Sequence, residues 1–564
     1  MKFSQMEYKQ VDFPSYQEKS QKILSQFRNS ASAAEQVDSL GQFYRLEDEY
    51  VTMSSLSYIR NSVNTADPFY AKEKEYYDEN GPKFEALSMN FYKALVDSPY
   101  RAELTEKLGP LLFQNAEIAL KSFDDRLIGD MAEENRLKTQ YTNLIASASI
   151  KFAGKTLNLS QLGYYMNSSE RETRKSAYAA RTEFFLKNER ELDDIYDKLV
   201  KLRDKMAKKL GYKNYIELGY LRMMRNSYKP EDVAAFRQSV KEKIVPLTRR
   251  LHEKQRQRLG LDQLMYYDEK TLFPGGNPLP HGTPEEIFQN GKKMYHEMSR
   301  QTGEFIDFMI GNGLFDVLGR ANKAAGGYCI ALPDYQSPFI FANFNGTHDD
   351  INVLTHEAGH AFEFYLARDV YPAYREPTND AAEIHSMSME FFCWPWTPLF
   401  FGNKAEQYHY LHLFEAIVFI PYGCAIDEFQ HIVYQNPEMT PAERRQAWKK
   451  LEEAYLPHLN FGGDPFFGNG GTFLRQLHVF EYPFYYIDYC LAQTCALEFW
   501  EMSRKEKSAA WEKYLKLCRM AGTKVFNGLV AGAGLRSPFD PACVDSIAKT
   551  VEGWFDSFDE SLLQ

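Results

Sequence analysis

Along most of the chain apolar residues recur three and four positions apart, the spacing of a helix that buries one face. These runs predict helices over 13–28, 32–61, 84–97, 100–123, 132–151, 169–209 and 230–260, each with a charged opposite face. Pro230 suits the first turn of the last, where a missing N–H costs nothing. One segment departs from helical spacing: Pro338-Phe339-Ile340-Phe341-Ala342-Asn343-Phe344-Asn345, preceded by Gly326-Gly327-Tyr328-Cys329-Ile330. Its aromatic and β-branched residues, bounded by Gly, Pro and Asn, predict a small sheet. Stretches 271–282 and 460–471, rich in Gly and Pro or Asn, predict loops. The second lacks the G-K-[ST] of a phosphate loop and is expected to be a mobile segment over a cleft. The pattern therefore predicts a mainly α, multi-helical fold with one small sheet.

Composition narrows the class. At 564 residues the chain exceeds what one hydrophobic core supports. A helical N-terminal subdomain over 1–200 and a second unit over 201–564, which carries the chemistry below, are expected. A net charge of −11 disfavours nucleic acid as a partner. With 41 phenylalanines and 37 tyrosines, most aromatic residues are expected to be core. The seven cysteines are scattered, odd in number and without a C-x-x-C, which fits reduced thiols in a cytoplasmic protein. The N-terminus has no apolar h-region. The most apolar stretch, Leu411 to Ile420, contains His412 and Glu415 and is expected to stop at Pro421, too short to span a bilayer. No membrane partner is expected.

The candidate chemistry sits just after the predicted sheet, in Val353-Leu354-Thr355-His356-Glu357-Ala358-Gly359-His360-Ala361-Phe362. This is H-E-x-x-H on a predicted helix. Residues four apart share a helical face, so His356 and His360 reach one metal ion. Glu357 points beside the metal, placed to take a proton from a metal-activated water. The competing view, an amphipathic helix with chance histidines, is disfavoured by the small and apolar flanking residues, because unpaired buried ionisable groups are costly. A metzincin is excluded, since Glu363 and Leu366 stand where its glycine and third histidine would be. Asp369, Glu376, Asp380, Glu383 and Glu390 follow downstream. Residues 379–392 read as a second helix, with Thr378, Asn379 or Asp380 as N-cap and its end near Pro395. Position alone leaves Glu383 open between a third ligand and a capping-box glutamate. Glu390, seven residues on, shares its face and could orient a ligand histidine.

His356-Glu357-Ala358-Gly359-His360 followed by Glu383-Ile384-His385-Ser386 resembles the oligoendopeptidase F and thimet oligopeptidase family of zinc peptidases, in particular its bacterial Pz-peptidase type. The likeness extends to Arg203-Asp204-Lys205-Met206-Ala207-Lys208-Lys209-Leu210-Gly211-Tyr212-Lys213-Asn214-Tyr215, and to Leu477-His478 with Tyr482, Tyr485, Tyr486 and Tyr489, covering roughly residues 200 to 530. It implies one Zn2+ per chain held by His356, His360 and Glu383, with Glu357 as general base. His478, Tyr482 and Tyr489 match the family's group that binds substrate and stabilises the oxyanion. It further implies a zincin-type fold with a deep enclosed cleft, an edge strand of the small sheet that pairs with the peptide, and short peptides as substrates. Spacing alone puts Tyr482, Tyr486 and Tyr489 on one helical face, with Pro483 in the first turn; an aromatic core stripe is the plainer reading of the same pattern.

The sequence thus predicts a zinc-dependent endopeptidase of short oligopeptides. A catalytically inactive helical peptide-binding or scaffold protein is the alternative, and its signature would be loss of Glu357 or of a ligand; all are present. An aminopeptidase is disfavoured by the lack of a G-x-M-E-N segment before the motif.

Overall fold

The computed structural model describes residues 1–563 and is helical almost throughout, as the spacing predicts. Near the N-terminus Phe13–Asn29, Ala33–Val63 and Pro68–Val96 pack around Phe27, Phe43 and Phe91, with the Phe43 and Phe91 rings stacked at 4.1 Å. The third helix begins well before the expected residue 84. Asp67 caps it by accepting from the amides of Phe69 and Tyr70, and the helix runs on through Pro82, so packing overrides the breaker. The expected helix over 100–123 is divided by Gly109, at φ 86°, and Pro110. The expected run over 169–209 is two helices, Arg171–Lys187 and Glu189–Lys209.

A hairpin, β1 (Ile150–Phe152) and β2 (Lys155–Leu157), replaces the end of the helix expected to reach residue 151. Its turn residues Ala153 and Gly154 have φ 49° and 73°, the left-handed pair that matches strand twist. Strands of three residues carry too short a pattern to be read in advance.

The main sheet comprises β3 (Phe315–Leu318), β4 (Tyr328–Leu332) and β5 (Ser337–Phe344) in the order β3-β5-β4. The strongly apolar β5 is the central strand, parallel to β3 and antiparallel to β4, with Cys329 opposite Ile340. Central placement explains its uninterrupted burial from Ser337 to Ala342. The strand edge beside the motif helix belongs to the half-buried β4 instead.

After β5 the chain turns tightly into the motif helix, Asp349–Ala367. Asp350 holds this turn by accepting from the amides of Asn345 and Gly346, both at 2.8 Å. The motif helix lies against a second helix, Asn379–Phe392, which packs on a third, Tyr486–Lys505. A long helix, Ala405–Gln435, completes this core and continues through Pro421, where a stop was expected. Its segment is apolar enough to cross a membrane by composition, but 72% of that window is buried inside the fold, as in a core helix.

Gly359 sits where the motif and second helices cross. A Cβ there would lie 2.6 Å from Ser386 Cα and 2.7 Å from the His385 carbonyl oxygen, both backbone atoms with no freedom to yield. Gly359→Ala is therefore expected to destabilise the protein by ~1–3 kcal/mol, the range for overpacking a tight core. Denaturant unfolding checks this; an unchanged unfolding midpoint would show that the crossing has slack.

Candidate metal centre and active site

The two helices bring His356, His360 and Glu383 together. Glu383 Oε2 is 3.3 Å from Nε2 of each histidine, and one ligand atom from every residue of the trio lies within 4.8 Å of the others. The imidazole planes stand at 80°, so their in-plane lone pairs converge on one point. Glu390 accepts a hydrogen bond from His356 Nδ1 at 2.7 Å, which leaves Nε2 bare toward that point. Behind Glu390, His412 Nε2 donates to its other oxygen at 2.7 Å, and Trp394 Nε1 donates to His412 Nδ1 at 3.0 Å. Glu383 is held equally firmly: Ser386 Oγ donates to Oε2 at 2.9 Å and the Tyr485 hydroxyl donates to Oε1. Burial pushes the Glu383 carboxyl up, but the charges and hydrogen bonds of His360 and His356 outweigh it and hold the group well below the usual carboxylate range. Two imidazoles and an ionised carboxylate, reached from one open side, form a donor set that fits zinc in a catalytic site.

Two other groups of metal-ligating side chains lack this geometry. His252 and His458 stack at 3.5 Å with planes 18° apart, so their lone pairs run side by side and do not meet. His348, with Asp349 and Glu415, supplies a single imidazole, and the carboxylates' charges outweigh burial to raise its pKa to about 9, an ion pair.

Glu357 stands next to His356, buried yet without a hydrogen-bond donor among the described residues. Gly327, just before β4, lies beside it: a Cβ there would be in ordinary contact with Glu357 Oε1, at 3.5 Å. Burial raises the Glu357 pKa, opposed by the charges of His356 and His360, giving a carboxylate more basic than usual.

The tyrosine segment differs from its expected helical face. A short helix, Leu477–Glu481, ends at Tyr482; Pro483 and Phe484 form a connection, and the next helix starts only at Tyr486. Phe484 takes φ 69°, a strained value for an aromatic residue. It is fixed there by its amide donating to Gln430 Oε1 at 3.0 Å and by Arg225 donating to its carbonyl at 2.7 Å. The break rotates Tyr482 away from the others. Tyr482 is 49% exposed on the rim, with Lys138 Nζ 5.8 Å from its ring centre, and is not brought to the ligand trio. Tyr486 packs edge-on against Tyr422 and lines a wall. Tyr489 and His478 do meet, with Oη to Nε2 at 3.1 Å, and both line a cavity of about 310 Å³ together with His356.

The hydrogen-bond network assigns the proton positions. The Tyr422 hydroxyl donates to Gln476 Oε1 at 3.0 Å, so Gln476 Nε2 donates to His478 Nδ1 at 2.9 Å. His478 then carries its proton on Nε2 and donates to Tyr489 Oη, and burial lowers its pKa to about 4, keeping it neutral. Tyr485 spends its proton on Glu383. The Tyr489 hydroxyl, which also shares a hydrogen bond with the Tyr485 hydroxyl, lies on the cavity wall, and burial followed by the charge of Glu383 keeps its pKa well above the usual range. Tyr485, Ser386, Gln476 and His412 escaped the sequence reading as site residues. Ser386, three after Glu383, was the one with a legible spacing.

The remaining candidates are structural. Asp380 accepts from Tyr228 at 2.8 Å and pairs with Arg225 at 3.4 Å, and Arg225 also pairs with Asp488, tying the second and third helices together. Glu383 is no cap, since the N-cap is Thr378. The loop over 460–471 is anchored where mobility was expected: Asp464 accepts from Thr182 at 2.6 Å, from Tyr266 at 2.8 Å and from two loop amides, and Phe466 and Phe467 are buried.

Fold and site place the chain among mainly helical proteins that carry an H-E-x-x-H metal cradle on a cleft-lining helix. The Peptidase M3 N-terminal domain profile matches residues 3–123 and that of Peptidase family M3 matches 164–548, so the chain belongs to peptidase family M3. The solved structure of PZ peptidase A with an inhibitor is 46% identical, with a TM-score of 0.98 over 99% of this chain and 100% of that one. A Bacillus anthracis str. Ames protein provisionally described as an oligoendopeptidase F is 45% identical, with a TM-score of 0.93 over 100% of this chain and 99% of that one. The oligoendopeptidase F homolog of Lactococcus lactis subsp. lactis (strain IL1403) is 22% identical over 381 residues, 65% of this chain; the match spans 61% of that relative's length.

Glu383→Ala is expected to lose zinc under mild chelation, whereas Asp380→Ala keeps it and instead unfolds at lower denaturant. Removing Asp380 leaves a buried arginine with one partner fewer, a loss of order 3–5 kcal/mol for a broken buried pair. Release of zinc from the Asp380 variant alone would move the third ligand by about one helical turn.

Proposed function

We propose that the chain is a zinc-dependent endopeptidase that hydrolyses short oligopeptides. The carrying observation is the convergence of His356 Nε2, His360 Nε2 and Glu383 Oε2 beside the unpartnered Glu357 carboxylate. Zinc held by His356, His360 and Glu383 would supply a Lewis acid that makes water acidic near neutral pH and polarises a carbonyl.

The chain's own residues do the rest. Glu357 takes the proton of the attacking water and returns it to the leaving amine; its raised basicity suits both transfers. Tyr489 lines the cavity beside His356, and its O–H turns to donate to the oxyanion as it forms. His478, neutral and donating to Tyr489 Oη, is a positioning residue that holds this hydroxyl in place. The edge strand β4 offers backbone groups for an extended peptide. A rim role in binding remains for the exposed Tyr482. The oligoendopeptidase names of the relatives support short peptides as substrates. Seven unpaired cysteines, six of them buried, support a reducing compartment such as the cytoplasm.

Glu357→Gln is expected to keep its zinc while turnover falls by about two to four powers of ten, the worth of general-base help. Metal analysis beside peptidase assays decides it, and turnover within a few fold of the unmodified enzyme would remove Glu357 from this role.

Tyr489→Phe keeps the ring and its packing. A fall in kcat of about two to three powers of ten with KM little changed is expected for an oxyanion donor. Normal turnover with a lowered melting temperature would make the hydroxyl structural.

A further inference from the structure

Beside the metal centre lies a larger chamber of about 520 Å³, which shares Glu415, Phe419 and Tyr486 as walls with the cavity at His356. Its charged lining is unevenly partnered. The three acids are each engaged by a histidine: Glu269 with His458 at 3.3 Å, Glu415 with His348 at 3.1 Å and Asp349 with His348 at 3.5 Å. Its arginines have no such partner. Among the described residues neither Arg181 nor Arg475 makes a side-chain hydrogen bond or an ion pair, and Arg181 Nε is buried without an acceptor. The Arg181 guanidinium is clamped between the rings of Tyr178 and Phe467, 4.4 and 4.5 Å from their centres. Arg475, exposed at the chamber's edge, lies 5.6 Å from the ring centre of Tyr422. The third cation, the exposed Lys270, also makes no side-chain hydrogen bond or ion pair among the described residues, and it lies in the field of Asp349, whose charge raises its pKa.

A guanidinium held flat between aromatic faces is preorganised, and its fork of donors matches a carboxylate. Leaving it unpaired in a chamber that adjoins the cavity at His356 has a simple explanation: the partner arrives with the substrate. We propose that Arg181 and Arg475 bind the C-terminal carboxylate of the peptide, an inference that rests on the peptidase reading above. Each linear peptide with a free C-terminus offers one such group. Anchoring it in a chamber that adjoins the metal centre makes the enzyme count residues back from the C-terminus. The segment that carries Arg475 also carries Gln476 and His478, whose hydrogen bond at 2.9 Å positions Tyr489. Occupation of Arg475 is therefore felt by the oxyanion donor.

The test uses the zinc-loaded, full-length Glu357→Gln enzyme, which binds without cleaving, and calorimetry with one peptide sequence in three forms: free acid, C-terminal amide, and amide with glutamate as its last residue. The free acid is expected to bind about tenfold or more tightly than the plain amide, the worth of a charge-assisted hydrogen bond in a secluded site. Arg181→Gln and Arg475→Gln on that background should each shrink this preference and together abolish it, with affinity for the amide unchanged; the lost ring contacts of Arg181 are read separately as a modest fall in melting temperature. Equal affinity for acid and amide with both arginines present would overturn the proposal and leave the peptidase reading intact. A glutamate-ending amide that binds as tightly as the free acid would overturn the C-terminal assignment in favour of a side-chain carboxylate. Failure of all three forms to bind, together with no cleavage by the zinc-loaded unmodified enzyme, would overturn both readings.

Discussion

The site depends on how closely two helices approach at Gly359. With no side chain there, the backbone of the second helix at His385 and Ser386 lies against the motif helix. That distance lets the Glu383 carboxylate sit 3.3 Å from both histidines. Helix geometry alone puts His356 and His360 on one face; the third donor comes from a different helix, so its position is a packing property. Protein interiors are close to crystal density and transmit a displacement of even one methyl group. A change at the crossing therefore moves the metal cradle as directly as a change of ligand.

Around this contact the polar groups form chains in which each member fixes the next. Trp394, His412 and Glu390 in series determine which nitrogen of His356 is free. Tyr422, Gln476 and His478 in series determine that His478 donates to Tyr489 Oη. Arg225 joins Asp380 on the second helix to Asp488 on the third and also grips the strained Phe484 carbonyl, so the ligand helix and the tyrosine helix move as one body. Buried networks of this kind are strong when every member is satisfied and costly when one is missing. The pattern assigns many buried polar residues near the site a positioning task, while Glu357 has no hydrogen-bond donor among the described residues.

What the sequence disclosed follows from the range of each interaction. Helices were legible because their period is local, and His356, Glu357 and His360 because four residues of helix suffice to define a face. Glu383 was undecided on spacing and became a candidate ligand through family likeness. Its placement rests on the crossing at Gly359, which spacing does not encode. The tyrosines were misread because Phe484 leaves the helical conformation, and the cause lies in Gln430 and Arg225, distant in sequence. Likewise, β5 was legible as a strand, yet its central position is a tertiary fact. Pro421 was read as a breaker, and burial of the surrounding helix overrode it. The loop at 460–471 looked mobile by composition, but the side chain of Asp464 anchors it from four directions.

The most direct test of the account is the position of the metal itself. Crystals of the zinc-loaded protein, measured on both sides of the zinc absorption edge, are expected to show one strong anomalous peak per chain, bounded by His356 Nε2, His360 Nε2 and Glu383, with Glu357 near it but not bonded to it. A peak at His252 and His458 instead, or none at the histidines of the motif helix, would contradict it.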